Sequence, residues 1–552
     1  MRWIEDGDHS LKPRKASGRT AAQNLAEAVD AIAELLTSPG PTLLITSRIP
    51  LHISMEHEYA LDPLPPDAAV ELFLDRARAV RRHAEPSATI DEICRRLDGL
   101  PLALELAAAR LKLLDPPSLL TRLDSRLPLL THGPSDLPER QRTLEATIAW
   151  SYDLLEPDAQ RIFTRLSGFA GTFGVEAANA VVDADLDGLT TLVDASLLKP
   201  RGDSRFLMLE TIREFARDRL VDEDAQSLPS RHAAYFLGLA ANAAPHLGGV
   251  DASVWLARLD SDHGNFRAAL DWLALEEPGE LPRFAIALWR FWLVRGHYEE
   301  GELWIERALR AQPSPAEHAD LHYQLAAILI SRGATDRART HALEALHRYR
   351  AIGDRSGEAK ALGELGHAAT DVGAWGEAVE SYERAIEIWR DLDEGYGLGN
   401  VLCDLASVYL RSGVPDEALP IALESVELQR AHGNRSGEAL ALGIAGYAEL
   451  GTDLARAHEH LVEATRISHD LGFLHGLVFC LNGLGAVAAT RGDLERAARD
   501  FEAALALRSQ IGIHHDPEDV LVADLRAAAF AARVAPSEEF DLDRAIAAAL
   551  AG

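Results

Sequence analysis

The sequence predicts a mainly α-helical protein whose C-terminal half is a stack of helical hairpins. Two observations lead to this fold class. A pattern of about 40 residues recurs along the second half, and each copy joins two amphipathic helices through a short turn. The chain also has 552 residues, which is too long for one hydrophobic core, so several domains are expected.

The repeated pattern is anchored at its turns. The aligned turn residues are Gly296, Gly333, Gly373, Gly413, Thr452 and Gly492. A small residue follows five positions after each anchor, and another follows twelve positions after it. Two small residues seven apart lie on one face of a helix, so we expect neighbouring helices to approach closely there. The helix before each turn has its own small residue, for example Gly366 and Gly485.

This pattern resembles the tetratricopeptide repeat, in a version of about 40 residues rather than 34. Tyr382 and Phe501 fall where that motif has its aromatic residue. The resemblance covers roughly residues 284 to 530 and implies a superhelix whose groove binds a peptide or a partner helix. Ordinary solvated helix surface is the alternative interpretation of each groove candidate. The candidates are Tyr323, Lys360, His367, Asn400, Ser407 and Asn482.

Four segments in the first half predict further domains. "TLLITSR", 42–48, is typical of a buried strand that brings Arg48 to the edge of an α/β sheet, where ligands bind. "LDGLPLALELAAARL", 97–111, predicts a turn followed by an apolar helix. Residues 143–181 predict three helices with a break at Glu156 and Pro157. Residues 186–220 predict helix, strand, turn, strand and helix, which completes a winged-helix arrangement.

This order resembles the bacterial NB-ARC branch of the STAND signalling ATPases, as found in AfsR-like and large LuxR-like regulators. The resemblance implies the following domains: a truncated α/β nucleotide-binding remnant at 1–62, a small helical domain with the GLPL motif at 63–132, a winged helix at 140–222, a helical connector at 228–283 and the tetratricopeptide superhelix at 284–552.

The same resemblance suggests vestigial nucleotide-binding residues. Arg48 is similar to the sensor arginine that faces the terminal phosphate, and Pro101, after Gly99 in the GLPL segment, is similar to the proline that packs against adenine. Glu210 lies in the segment that corresponds to the family's switch motif after the wing. The usual histidine of that motif is absent from "FLMLETIREFA".

The phosphate-binding machinery departs from the family pattern. A phosphate loop needs a lysine directly after a glycine, and no lysine of this chain has that neighbour. "RTAAQNLAEAV", 19–29, also lacks the acidic strand end that organises Mg²⁺. We therefore expect a truncated α/β core without ATPase activity, with no catalytic residues and no cofactor. Residual ADP or ATP binding belongs to the alternative interpretation.

Other functional classes fit the sequence less well. A net charge of −31 argues against broad binding to nucleic acid or anionic membranes, and the expected recognition helix carries Asp187 and Asp194 rather than basic residues. His458 and His460 are two positions apart on a helix and point in different directions, so no metal site is expected. Three scattered cysteines and the lack of a long apolar run suggest a cytoplasmic protein.

The sequence therefore predicts a non-enzymatic regulatory protein that binds a protein or peptide through its repeats. DNA binding is not expected. The alternative is a nucleotide-responsive transcriptional regulator of the STAND type, with residual nucleotide binding or nucleotide binding supplied in trans.

Overall fold

The computed structural model describes residues 62–80, 85–123, 144–202, 204–248, 251–510 and 519–532. These ranges contain twenty-four α-helices and three short strands, which confirms the mainly α-helical prediction. The chain divides into two compact units. Unit 1 takes in the described residues up to Phe236 together with Ser261–Trp272, and unit 2 takes in Leu237–Asp260 and the described residues from Leu273 onward.

Unit 1 begins with four helices around an apolar core. They are α1 (Pro66–Val80), α2 (Ala88–Arg96), α3 (Pro101–Arg110) and α4 (Pro116–Arg122). The sequence sets their starts: the side chains of Ser87 and Asp115 accept hydrogen bonds from backbone N–H groups of α2 and α4. Proline occupies the first position of α3, where its missing N–H is not needed.

The region predicted to be a winged helix follows in unit 1. Its helices are α5 (Leu144–Asp153), α6 (Pro157–Leu166), α7 (Val175–Val182), α8 (Leu186–Asp194) and α9 (Glu210–Arg217), and its strands are β1 (Thr172–Gly174), β2 (Lys199–Arg201) and β3 (Arg205–Leu207). The predicted break before Pro157 and the β2–β3 hairpin are confirmed. Strand β3 lies between β1 and β2, antiparallel to both. β1 was not predicted, since three residues show no alternation.

Two long helices, α10 (Asp222–Ala243) and α11 (Ala252–Glu276), come next. The part of α11 that belongs to unit 1 holds the start of β1 in place. The Asn265 side chain accepts a 2.7 Å hydrogen bond from Ala170 N and donates a 2.9 Å bond to Thr172 O. Beside it, Arg205 of β3 pairs with the buried Asp262 at 2.5 Å. This polar connection joins the sheet to α11 within unit 1.

The repeats of unit 2 form six hairpins and one further helix. The pairs are α12 (Leu281–Val294) with α13 (Tyr298–Arg310), α14 (Pro315–Ser331) with α15 (Thr335–Ile352), α16 (Arg355–Asp371) with α17 (Trp375–Asp391), α18 (Gly395–Arg411) with α19 (Pro415–Ala431), α20 (Arg435–Ala448) with α21 (Leu454–Asp470), and α22 (Leu474–Thr490) with α23 (Leu494–Gln510); α24 (Asp519–Ala532) follows.

The turns inside the hairpins explain the anchor glycines. All five anchor glycines have positive φ, between 72° and 86°, a conformation that glycine adopts without strain. Thr452 is the exception among the six anchors. Helix α20 ends early, at Ala448, so the chain reaches α21 through a longer connection. The turns between hairpins, which the sequence analysis did not identify, also use positive φ, for example at Gly353 and Asp393.

The small residues at the predicted positions are buried, which confirms the packing prediction. They are Gly301, Ala308, Ala338, Ala345, Ala378, Ala385, Ala418, Ser425, Ala457, Ala464, Ala497 and Ala504. The first helices depend on small residues as well. A Cβ atom added to Gly366 would lie 2.5 Å from the ring of Tyr382.

A buried ion-pair arrangement occurs at two of the connections between hairpins, and we call it the Arg–Glu–Arg clamp. At the first of these two connections, Glu358 accepts hydrogen bonds from Arg350 and Arg355. At the second, the fully buried Glu438 accepts hydrogen bonds from Arg430 at 2.7 Å and from Arg435 at 2.6 Å. Each clamp joins the end of one hairpin to the beginning of the next. At the equivalent positions of the other three connections the sequence has His318, Leu398 and Leu477.

None of the described helices combines the length and the apolar character that a membrane crossing requires.

Candidate partner groove

The first helices of the hairpins form a continuous inner face in unit 2. Successive first helices, from α12 to α22, contact one another. The second helices are instead bridged by long side chains, such as Arg390 of α17 and Glu424 of α19 at 2.8 Å. Residues at the same repeat position of α14, α16 and α18 therefore lie side by side. We define the groove face by Tyr323, Glu364, His367, Asp404 and Ser407 on these three helices.

His367 is at the centre of the groove face. Its Nδ1 lies 3.1 Å from the hydroxyl of Tyr382, and its Nε2 lies 3.5 Å from Oδ2 of Asp404 on the next first helix. The rings of His367 and Tyr382 meet edge to face. These contacts hold the imidazole between α16, α17 and α18.

The carboxylates of the groove face have little compensation for their charge. Burial raises the pKa of Glu364 to about 7 and also raises the pKa of Asp404. Burial disfavours the protonated form of His367, but the carboxylates of Asp404 and Glu364 outweigh it, so the pKa of His367 is raised. One histidine therefore balances two carboxylates.

Tyr323, Lys360 and Ser407 are placed as the sequence analysis expected, at least partly exposed on first helices. The Tyr323 ring meets Trp289 edge to face. Asn400 is also partly exposed, but its Oδ1 is occupied by internal hydrogen bonds from Gln429 at 2.8 Å and from Asn434 at 3.1 Å. It serves the connection between two hairpins more directly than it serves an open surface.

Asn482 requires a correction. It was expected on the groove surface, but its exposed fraction is 3%, and it lies in a helix that is buried along most of its length. Helix periodicity identifies a face of α22 but cannot tell how deeply that face is packed.

Glu364 and Asp404 were not identified from the sequence. The signal that could have found them is the repeat spacing: each lies three residues before a groove candidate, His367 or Ser407, on the same helix. Residues three apart are neighbours on a helix surface, so the candidate face extends to them.

The residues expected to be vestigial in nucleotide binding lie partly in unit 1. Arg48 is outside the described residues. Gly99 has a φ of 63°, and a Cβ there would lie 2.4 Å from the Leu64 carbonyl oxygen, so this turn requires glycine. Pro101 is exposed as the first residue of α3, and Glu210, the first residue of α9, pairs with Arg213 at 2.5 Å.

The structure brings two of these segments together. Oδ2 of Asp98, next to Gly99, accepts a 3.3 Å hydrogen bond from the backbone N–H of Thr211, which follows Glu210. Leu209, the residue before α9, has an apolar side chain that cannot cap the helix. Asp98 supplies this interaction from another part of the chain. The negative charge also suits the positive end of the helix dipole.

Comparison with family models identifies the repeats independently. Two tetratricopeptide repeat models match residues 361–394 and 480–511. A model described as an α/β hydrolase domain matches residues 1–37, outside the described residues. That stretch does not contain the G-x-S-x-G sequence that places the nucleophile in such hydrolases, and we base no enzymatic proposal on it.

Two relatives extend over most of this chain. An HTH-type transcriptional regulator of Mycobacterium tuberculosis is 33% identical over 438 residues, 73% of this chain and 48% of the relative. The regulatory protein AfsR of Streptomyces griseus is 26% identical over 429 residues, 73% of this chain and 41% of the relative. The resemblance to AfsR-like STAND regulators is confirmed. This AfsR-like chain spans about half the length of the relatives it matches.

One solved structure is similar to most of the chain. It is a STAND protein with a tetratricopeptide repeat sensor from Pyrococcus horikoshii. The two sequences are 16% identical, and the alignment has a TM-score of 0.36 and covers 88% of the present chain and 78% of the Pyrococcus protein. A likeness at this level carries no argument about function.

Proposed function

We propose that this chain is a non-enzymatic regulatory protein that holds a protein or peptide partner against its groove face. One contrast between the two surfaces of the repeats supports the proposal. Carboxylates on the second helices are bridged to arginines of adjacent hairpins, as in Arg337–Glu302 at 2.7 Å and Arg430–Glu463 at 2.9 Å. The groove face instead carries partly exposed aromatic and polar groups, and its ion pair between adjacent hairpins joins Asp404 to His367 rather than to an arginine.

A stack of hairpins suits this role physically. Each hairpin is fixed by its neighbours, so side chains from three first helices are held at constant spacing without a flexible loop. A partner segment that lies across them loses its own freedom, while the protein loses little. On this proposal no catalytic residue and no cofactor is needed.

The proposal can be tested with a random 12-residue peptide library displayed against the full-length chain. Calorimetry then gives the affinity of enriched peptides for the wild type, for Tyr323→Ala, which removes a groove side chain, and for Ser407→Trp, which obstructs the groove. We expect each variant to weaken binding by about tenfold or more. Leu343→Ala, at an exposed position of the second helix α15, is the control and should not change the affinity. Equal binding to all four proteins would refute the proposal.

A nucleotide-responsive transcriptional regulator is the second candidate. It is favoured by the contact between the turn at Asp98 and Gly99 and the start of α9, two segments that the family resemblance relates to nucleotide binding. Calorimetry of the full-length chain with Mg²⁺ and ADP separates the two. A saturable micromolar interaction would favour nucleotide control, and the first proposal predicts no such heat.

A further inference from the structure

We propose that the groove face recognises a cationic side chain, an arginine or lysine of the partner segment, between Glu364 and Asp404. The inference rests on the proposed function and deepens it by stating the chemistry of the partner.

The positions of the two carboxylates carry the first part of the argument. Glu364 of α16 and Asp404 of α18 occupy the same repeat position on adjacent first helices. Asp404 has the His367 imidazole at 3.5 Å. Glu364 makes no hydrogen bond or ion pair with any residue that the structure describes. The two carboxylates are close enough to interact electrostatically, and burial raises the pKa of both.

A third acceptor provides independent support. Gln324 occupies the same repeat position on α14, so its side chain continues the row formed by Glu364 and Asp404. Its exposed fraction is 4%, and among the described atoms its buried Oε1 has no hydrogen-bond donor. A buried acceptor without a donor is unfavourable, because it has lost its hydrogen bonds to water. A ligand that brings N–H groups would satisfy it.

The chemistry of the row selects the ligand. Two carboxylates and an amide oxygen can all accept hydrogen bonds, and an ammonium or guanidinium group offers several donors with a positive charge. Tyr323 lies beside the row and adds an aromatic surface, which also favours cations. The nearby cation Arg290 lies over the Trp289 ring, 5.5 Å from its centroid. An acidic or phosphorylated segment would instead meet like charges.

Defined peptide pools test this inference on the full-length chain. Three fluorescent pools of 12-residue peptides are used, all acetylated and amidated so that their ends carry no charge. Each basic peptide contains two Arg or Lys residues, each acidic peptide contains two Asp or Glu residues, and the third pool contains only neutral residues. Fluorescence anisotropy should show the basic pool binding about tenfold more tightly than the other two.

The variants Glu364→Gln and Asp404→Asn keep the side-chain shape and remove one charge each. Each should reduce the preference for the basic pool by at least about fivefold. Glu424→Gln is the matched control, since Glu424 lies on the second helix α19 and pairs with Arg390. It should bind the three pools as the wild type does.

The outcomes separate this inference from the proposed function. Equal affinity for the three pools, or an unchanged preference in Glu364→Gln and Asp404→Asn, overturns the cationic site and leaves groove binding intact. A neutral pool with a free N-terminus that binds as tightly as the basic pool assigns the site to a terminal amine and also overturns it. Failure of every pool, together with failure of the displayed library, overturns the proposed function itself.

Discussion

Two glycines of α16 face different surroundings. A Cβ on Gly366 would lie 2.5 Å from the Tyr382 ring, which is itself fixed by His367, whereas a Cβ on Gly363 would meet nothing within 4 Å. We therefore expect Gly366→Ala to lower the free energy of unfolding by about 1–3 kcal/mol through overpacking. Urea titration monitored by circular dichroism measures the change.

Gly363→Ala is the control for this prediction, because it lies one turn earlier on the same helix. It should raise the free energy of unfolding by up to about 1 kcal/mol, since alanine favours the helix. Similar effects of the two substitutions would contradict the close contact at Gly366.

The buried His232 leads us to expect that the stability of unit 1 depends on pH. It is buried beside Asn265, Phe169 and Phe236, and burial lowers its pKa to about 4. The folded protein therefore keeps this imidazole neutral, while the unfolded chain takes up a proton below about pH 6.5. This contribution to stability is complete above pH 6.5 and is lost as the pH falls toward 4. At pH 5 the loss is about 2 kcal/mol.

The measurement is a urea titration at pH 7 and at pH 5, for the wild type and for His232→Gln. Glutamine offers an amide donor in place of Nε2 and does not titrate. We expect the wild type to lose more stability than the variant between the two pH values. Parallel losses would show that the pKa of His232 is the same in the folded and unfolded states.

Individual residues show what sequence can and cannot indicate. The small residues at the helix contacts were predictable, because their spacing recurs in every repeat. Asn482 was misjudged, since the repeat pattern shows on which face of α22 it lies but not that this face is buried. Glu364 and Asp404 were missed because helical periodicity indicates a face and not which charges lie close together across neighbouring helices.

At the scale of elements, the clamp at Glu438 is expected to contribute more than an exposed ion pair. Arg430 contacts both the fully buried Glu438 and the partly exposed Glu463. Glu438→Gln should therefore lower the free energy of unfolding by about 1.5–3 kcal/mol, since it weakens charged hydrogen bonds in a buried site. Glu463→Gln should change it by less than about 1 kcal/mol. Thermal unfolding of the two variants compares them directly, and equal effects would argue against the clamp.

The elements themselves were largely predictable, and their connections were not. The hairpins, the break at Pro157 and the β2–β3 hairpin follow from periodicity and from turn residues. Strand β1 did not, because it is defined by backbone pairing with β3 and by Asn265, 93 residues away. The clamps also join residues whose relation depends on the angle between two hairpins.

At the scale of the whole molecule, the reactivity of the cysteine thiols can follow the unfolding of each unit separately. Cys94 lies in unit 1, and Cys403 and Cys480 lie in unit 2; all three are buried and free. Burial raises each thiol pKa, to about 12 for Cys94 and Cys480. The native chain should thus react slowly with 5,5′-dithiobis(2-nitrobenzoate) at pH 8, because little thiolate is present.

Increasing urea should then expose one thiol with unit 1 and two thiols with unit 2. Mass spectrometry of the labelled peptides identifies which cysteine reacts first. Rapid labelling of the native chain would contradict the burial of these groups. The order of domains could be inferred from sequence motifs, but the division of α10 and α11 between two units could not, since it depends on contacts far apart in the chain.

The distribution of the Arg–Glu–Arg clamp also bears on how the repeats evolved. Along the five connections the equivalent residues are His318, Glu358, Leu398, Glu438 and Leu477, so the clamp glutamates alternate with residues that are not acidic. Copying one hairpin at a time would leave the same residue at each connection. This alternation is the pattern expected if the solenoid grew by duplication of two-hairpin segments.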